Sequence, residues 1–182
     1  GYKDLFVTNL ADYGGEVLLW GAGDGGFVDG SAAAGVVLGT ESERPSSWGT
    51  EALDYDNDGW TDLMVVYSSR PEGPNAIARG LAPAPNALLR NRGDGTFEEI
   101  AGAGLDGVRV GASICATVLD YDRDGCMDIV IDNSDGSPSL LRNRCEGLGN
   151  WIGFDLVGVV SNLEGIGAEL TLTVADGALP QH

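Results

Sequence analysis

The ten residues DYDNDGWTDL, numbered 54–63, are followed 66 positions later by a second copy, DYDRDGCMDI, at residues 120–129. Each copy leads into an apolar run, Met64-Val65-Val66-Tyr67 in the first and Val130-Ile131 in the second. Internal repetition at a period of this size is the signature of a repeat architecture, in which each copy is one supersecondary unit.

Shorter repeats extend the pattern over most of the chain. The segment LLRNR at residues 88–92 returns at 140–144, and GDGTF at 93–97 matches GDGGF at 23–27. Residues 1–7, GYKDLFV, match residues 59–65, GWTDLMV, so the chain begins inside a repeat and we expect a fragment of a longer protein. The repeating unit is therefore about sixty residues long.

Within one unit the hydrophobic pattern predicts four short strands. Residues 112–119 alternate with a period of two, whereas residues 63–67 are apolar at every position, as in a strand packed between other sheets. A third strand at 88–92 and a fourth around Phe97 flank a Gly-Asp-Gly turn. Four-stranded antiparallel units of this size are the blades of a β-propeller. We therefore predict an all-β fold.

The repeats divide the chain into four predicted segments. Residues 1–40 form a partial blade with a truncated loop, 41–106 a full blade, 107–149 a further blade, and 150–182 the start of a different module.

The Asp-rich repeats predict two metal sites. In each repeat, aspartates at positions 1, 3, 5 and 9 share one turn, with Gly at position 6. At about 5 Å and an effective dielectric constant of about 20, each pair of like charges costs on the order of 3 kcal/mol, which a cation would offset. Calcium suits a site made of several carboxylates and a backbone carbonyl. The predicted ligands are the side chains of Asp54, Asp56, Asp58, Asp62, Asp120, Asp122, Asp124 and Asp128, with the carbonyls of Trp60 and Cys126.

An EF-hand shares the Asp-x-Asp-x-Asp-Gly pattern but requires a Glu at position 12 and flanking helices. Position 12 is Val65 in the first copy and Ile131 in the second, and both lie in predicted strands. The EF-hand is therefore excluded.

Charge and composition exclude several functions. Ten basic and 28 acidic residues leave a net charge of −18, so nucleic acid and anionic membrane surfaces are poor partners. No apolar run approaches the roughly 18 residues of a membrane span, so membrane insertion is not expected. His182 is the only histidine, so no Ser-His-Asp or Cys-His catalytic constellation can be assembled. We predict no enzymatic activity.

The three cysteines are Cys115, Cys126 and Cys145. If residues 127–132 and 139–144 form a hairpin in which facing residue numbers sum to 271, Cys126 faces Cys145. This register predicts a disulfide, which suits an oxidising compartment; two free thiols are the alternative. Cys115, in the middle of a predicted strand, is expected to be buried.

The loops and their spacing resemble the FG-GAP (VCBS-type) repeats of integrin-α-like β-propellers. The order Gly149-Asn150-Trp151, Leu156-Val157-Gly158 and Gly165-Ile166-Gly167 resembles the start of the ASPIC/UnbV module of cartilage acidic protein-like proteins. The resemblance implies a secreted or surface-attached propeller of about seven blades. It also implies a calcium ion in each complete loop.

From this resemblance we expect a non-catalytic, extracellular calcium-binding module for adhesion or for binding of protein or glycan, with calcium in a structural role. Its partner would be an extracellular protein or glycan, and residues 68–86 form the longest candidate binding loop. Two alternatives stay open: a scaffold segment of a larger secreted enzyme, and a self-associating matrix or filament component. Copies of the chain could also associate to complete a propeller.

Overall fold

The computed structural model describes residues 2–9, 15–38, 46–68, 85–105, 108, 113–134, 136–145, 151–159 and 162–171. Ten strands and one four-residue helix lie in these ranges. They are β1 (Leu5–Val7), β2 (Val17–Gly21), β3 (Phe27–Asp29), α1 (Ser31–Ala34), β4 (Ser46–Leu53), β5 (Asp62–Ser68), β6 (Ala87–Asn91), β7 (Phe97–Glu99), β8 (Ser113–Leu119), β9 (Asp128–Asn133) and β10 (Ser139–Leu141).

The strands form three antiparallel sheets, each ordered by sequence. The first sheet is β1-β2-β3, the central sheet is β4-β5-β6-β7, and the third sheet is β8-β9-β10. The central sheet has the four strands predicted for a complete blade. The prediction of an all-β fold built from antiparallel, blade-like sheets is therefore confirmed.

Strand β5 explains why these sheets stack. All seven of its residues are buried, and successive side chains of a strand point to opposite faces. Leu63, Val65 and Tyr67 enter one hydrophobic cluster with residues of the first sheet, while Met64 and Val66 enter a second cluster with residues of the third sheet. The central sheet is thus packed on both faces, as its uninterrupted apolar sequence predicted.

Each of the outer sheets has an apolar face that lies outside these clusters. Leu5, Val7 and Phe27 of the first sheet are 46%, 45% and 48% exposed. In the third sheet, Leu140 lies opposite Val130 and is 51% exposed. In the described structure, the central sheet is therefore covered on both faces. The first and third sheets, which lie on either side of it, are each covered on one face.

The three sheets lie within the predicted segments 1–40, 41–106 and 107–149. The exact boundaries of those segments stay predictions. Residues 151–159 and 162–171 contain no strand or helix. In the described part of the chain, no helix has the length and hydropathy needed to cross a membrane.

A buried polar chain ties the central and third sheets together at the end opposite the Asp-rich loops. Asn86 accepts a hydrogen bond from the backbone N–H of Tyr67 at 3.0 Å and donates to Ser113 Oγ at 3.0 Å. Ser113 donates in turn to Asn133 Oδ1 at 3.1 Å. Because these groups are buried, the bonds between them satisfy polar atoms that would otherwise destabilise the fold.

Two details of the third sheet differ from expectation. Cys115 was expected to be buried but is exposed, because its side of β8 faces away from the second cluster, which contains Ala116. The β9–β10 register pairs Ser139 with Ile131, so facing numbers sum to 270 and the predicted register was wrong by one residue.

Candidate metal centre

The first Asp-rich loop, loop 1 (residues 54–62), joins β4 to β5, and its backbone is wrapped around Asp54. The two carboxylate oxygens of Asp54 accept hydrogen bonds from the N–H groups of Asp58 at 3.0 Å and Gly59 at 2.9 Å. Two residues of the turn have positive φ, Asn57 at 54° and Gly59 at 90°. Asn and Gly adopt this conformation more readily than other residues. The sequence of the loop thus favours this local turn.

The second Asp-rich loop, loop 2 (residues 120–128), joins β8 to β9 with the same bonds. Asp120 accepts from the N–H groups of Asp124 at 3.0 Å and Gly125 at 2.9 Å. Arg123 and Gly125 occupy the positive-φ positions, with φ of 61° and 87°. The two copies therefore share both sequence and backbone geometry.

Each loop gathers three carboxylates at one point. Oxygen atoms of Asp54, Asp56 and Asp58 lie within 4.8 Å of one another, as do those of Asp120, Asp122 and Asp124. Trp60 and Cys126, whose carbonyls are predicted ligands, donate their N–H groups to Asp58 and Asp124 at 2.9 and 3.0 Å. The first three predicted carboxylates of each site are therefore brought together.

Asp56 is the most unusual group of loop 1. It is 6% exposed, and its Oδ1 atom is buried without a hydrogen-bond partner in the described structure. Burial raises the pKa of Asp56, and the nearby charge of Asp58 raises it further. A buried carboxylate oxygen without a partner is costly. A bound cation would satisfy it, so the residues present fit a metal ion.

The aspartates at position 9 behave differently from the other three. Asp62 is fully buried, and its two oxygens accept from the N–H groups of Tyr55 at 2.9 Å and Asn91 at 2.7 Å. Asp128, also fully buried, accepts from Tyr121 at 3.0 Å and Asn143 at 2.8 Å. These carboxylates clamp the start of each loop to the neighbouring strand. Their assignment as ligands stays a prediction.

Burial raises the pKa of Asp62 to about 6, although the hydrogen bonds from Asn91 and Tyr55 favour the charged form. Desolvation is thus the larger effect at this position.

An arginine accompanies each cluster. Arg90 Nη2 lies 2.8 Å from Asp56 Oδ2 and 3.2 Å from Asp58 Oδ2. Arg142 Nη2 repeats the arrangement at 2.7 Å from Asp122 and 3.2 Å from Asp124. The hydrogen bond to Asp58 raises the pKa of Arg90, and the charge of Asp122 raises that of Arg142. Each arginine therefore offsets part of the negative charge of its loop.

No role for these arginines was predicted from the sequence. Their signal was present in the repeated LLRNR segment, which places an arginine at the same position of both blades. Only the fold shows that this position, at the end of the third strand, faces the carboxylates.

Cys126 and Cys145 form a disulfide with their Cα atoms 5.9 Å apart. This distance is within the range that disulfides span. Both cysteines lie beyond the paired residues of β9 and β10, so the bond forms although the strand register differs from the predicted one. It attaches position 7 of loop 2 to the chain that follows β10.

The predicted binding loop, residues 68–86, falls almost wholly outside the described residues, since residues 69–84 are not among them.

Comparison with known proteins adds one finding about the family. No curated protein matches the chain. Residues 54–131 match the family model described as an FG-GAP-like repeat, a span that begins at the first aspartate of loop 1 and ends in β9. Repeats of this kind are generally non-catalytic structural modules. Both Asp-rich loops lie within the matched residues, so the match supports the FG-GAP part of the resemblance. The ASPIC/UnbV part stays a prediction.

Proposed function

We propose that this chain is a non-catalytic module that binds one calcium ion in each Asp-rich loop and uses these ions to stabilise its blades. The observation that carries the proposal is the buried, unpartnered Oδ1 of Asp56 within a cluster of three carboxylates. The matching cluster in loop 2, with the same backbone, supports a second site. All ligands are oxygen atoms, and calcium favours such ligands at a site of several carboxylates.

The predicted ligand set is that of the repeat: the carboxylates at positions 1, 3, 5 and 9 and the carbonyl at position 7. Calcium would supply positive charge to each cluster, where Arg90 and Arg142 already supply part of it. Its role would be structural, because each loop connects two neighbouring strands of one blade. A cation that orders the loop would therefore stabilise the pairing of those strands.

We further propose that the module works outside the cell or at the cell surface. The Cys126–Cys145 disulfide supports an oxidising compartment. Millimolar calcium outside cells would also keep sites of modest affinity occupied. Its partner in this proposal is an extracellular protein or glycan that the module binds in adhesion, with residues 68–86 as the contact loop.

Self-association is a second proposal, and the exposed apolar faces of the first and third sheets favour it. Leu5 and Val7 on one side and Leu140 on the other are each close to half exposed. The inner faces of the same sheets are packed against a neighbouring blade, so an outer face could pack in the same way. Copies of the chain, or further blades, would then complete a propeller. Light scattering over a range of concentrations measures this.

Calorimetric titration of the chain with CaCl₂ after chelation tests the main proposal, with MgCl₂ as the control metal. We expect two calcium ions per chain and a rise in melting temperature that magnesium does not reproduce. Asp56→Asn with Asp58→Asn should remove one site, and Asp122→Asn with Asp124→Asn the other. A chain that binds no calcium, or two double variants that bind as many calcium ions as the wild type, would contradict the proposal.

A further inference from the structure

Loop 1 and loop 2 are in direct contact although they belong to different blades. Asn57 Nδ2 of loop 1 donates a hydrogen bond to the backbone carbonyl of Gly125 in loop 2 at 3.1 Å. In the other direction, Asn143 Nδ2, which follows β10, donates to the carbonyl of Tyr55 in loop 1 at 2.6 Å. Asn57 Nδ2 also donates to Cys145 Sγ, which follows β10, at 3.9 Å. Three hydrogen bonds therefore cross the boundary between the blades at the metal centre.

The carbonyls that accept these bonds lie between predicted ligands. Tyr55 stands between Asp54 and Asp56, and Gly125 stands between Asp124 and Cys126. The N–H of Gly125 is itself held by Asp120, so the Gly125 residue is fixed on both sides. A cation that orders the carboxylates of loop 1 therefore also orders the Tyr55 carbonyl, which accepts from Asn143. A cation in loop 2 likewise orders the Gly125 carbonyl, which accepts from Asn57.

Asn143 is a rigid link between the two loops. Its backbone N–H donates to Asp128 Oδ1 at 2.8 Å, and its side-chain oxygen accepts from the N–H of Cys145 at 3.2 Å. Cys145 is bonded to Cys126 at position 7 of loop 2. Asn143 is thus held by Asp128 of loop 2 and by Cys145, which the disulfide joins to loop 2.

The repeat provides matched residues that do not make these contacts. Arg123 occupies the position of Asn57 with a similar φ, 61° against 54°, and in the described structure it has no hydrogen bond to loop 1. Asn91 is the counterpart of Asn143, but its Nδ2 donates to the Thr61 carbonyl within its own blade at 3.0 Å. Between loop 1 and loop 2, the crossing bonds are therefore made by Asn57 and Asn143, and Arg123 and Asn91 serve as matched controls for them.

We propose that Asn57 and Asn143 are positioning residues that couple the two calcium sites, so that calcium bound in either loop tightens calcium binding in the other. The inference rests on the proposed calcium function. Ordering one loop lowers the conformational entropy that the other must lose when it binds, and this produces positive cooperativity. The coupling is reciprocal, because it is a free energy shared by the two binding equilibria.

The test compares calcium association constants, measured by calorimetry with CaCl₂, in the wild type and in the two single-loop variants. Asp56→Asn with Asp58→Asn leaves loop 2 alone, and Asp122→Asn with Asp124→Asn leaves loop 1 alone. The product of the two wild-type constants should exceed the product of the two single-loop constants by about fivefold. That ratio is the coupling between the sites.

The same titrations are then repeated after Asn57→Gly is added to the wild type and to both single-loop variants. Glycine keeps the positive φ and removes the side-chain amide. The ratio should fall toward one, whereas with the matched change Arg123→Gly it should stay at about fivefold. Asn143→Ala should lower the ratio as well, and Asn91→Ala should not. If Asn143→Ala does not fold by circular dichroism, Asn57→Gly decides the question.

A ratio near one in the wild type, or an unchanged ratio with Asn57→Gly, would overturn the coupling and leave the calcium function standing. A wild-type chain that binds no calcium would overturn the proposed function itself, so the two failures are distinguishable.

Discussion

Loop 1 and loop 2 have the same backbone and the same internal hydrogen bonds, but they are stabilised by different surroundings. The side chain of Asp56 is 7% exposed, whereas that of its counterpart Asp122 is 25% exposed. Loop 1 belongs to the central blade, which is covered on both faces. Loop 2 belongs to the third sheet and is held by a disulfide at Cys126, where loop 1 has Trp60.

A repeated motif thus determines the local geometry of each loop but not the electrostatic environment of the carboxylates in it. Coulomb interactions are stronger where water is excluded, so the same three carboxylates repel one another more in loop 1. The loop with the more buried carboxylates therefore has the greater need of a cation.

The largest expected effect tests whether the two loops depend equally on their position-9 clamp. Asp62→Ala removes a buried carboxylate that accepts from two backbone N–H groups, and Asp128→Ala removes its counterpart. Each bond to a charged group contributes roughly 1.5–3 kcal/mol, so each change should lower the free energy of unfolding by about 4 kcal/mol without calcium. Chemical denaturation in EDTA measures it. If calcium-free stability is unchanged in both variants, position 9 does not act as a clamp.

The next effect separates the loops. Cys126→Ser with Cys145→Ser removes a link between residues 19 apart in sequence, which should cost about 3 kcal/mol of stability through the greater entropy of the unfolded chain. Calcium affinity should fall in loop 2 more than in loop 1, because Cys126 is part of loop 2. Titration of this double variant, combined with each single-loop background, measures both. Cys115→Ser is the matched control, since Cys115 is exposed and unpaired. An equal loss of calcium affinity in both loops would contradict the expectation that the disulfide stabilises loop 2 more than loop 1.

The smallest effect concerns the arginines. Arg90→Gln and Arg142→Gln remove the guanidinium that pairs with two carboxylates of each loop. Because this internal cation competes with calcium for the same oxygens, each change should tighten calcium binding in its own loop by about two- to fivefold. The gain should be larger for Arg90, whose partner Asp56 is the more buried.

Arg92→Gln serves as the control for the arginine variants, because Arg92 pairs with Glu98. Weaker calcium binding in Arg90→Gln would show that the guanidinium organises the loop and does not compete.

Much of the site could be predicted from the aspartates themselves. The spacing of positions 1, 3 and 5 around a glycine at position 6 determines a turn whose N–H groups can be reached by the first carboxylate, so the clusters follow from local sequence. The apolar run of residues 63–67 likewise predicted a strand buried on both faces. These features depend on residues that are neighbours in the chain.

The remaining features could not be predicted in this way. Cys115 has the sequence context of a buried residue, yet it is exposed, because no described element covers its side of β8. The hairpin register could not be obtained from the cysteines, because both of them lie beyond the paired strands. The roles of Arg90 and Asn143 depend on contacts with residues 32 or more positions away. A repeated sequence does not show which distant residues come into contact.

By itself, the sequence determined that this protein is built from repeated antiparallel blades and that each of two turns concentrates three carboxylates. Short-range geometry is sufficient for both, since strand alternation and turn conformation act over a few residues. Only the tertiary structure decided which carboxylate lost its solvent, which arginine neutralises it, and that the two loops touch through Asn57 and Asn143. Burial and contact between blades depend on how the sheets stack, and stacking brings together residues that the chain holds far apart.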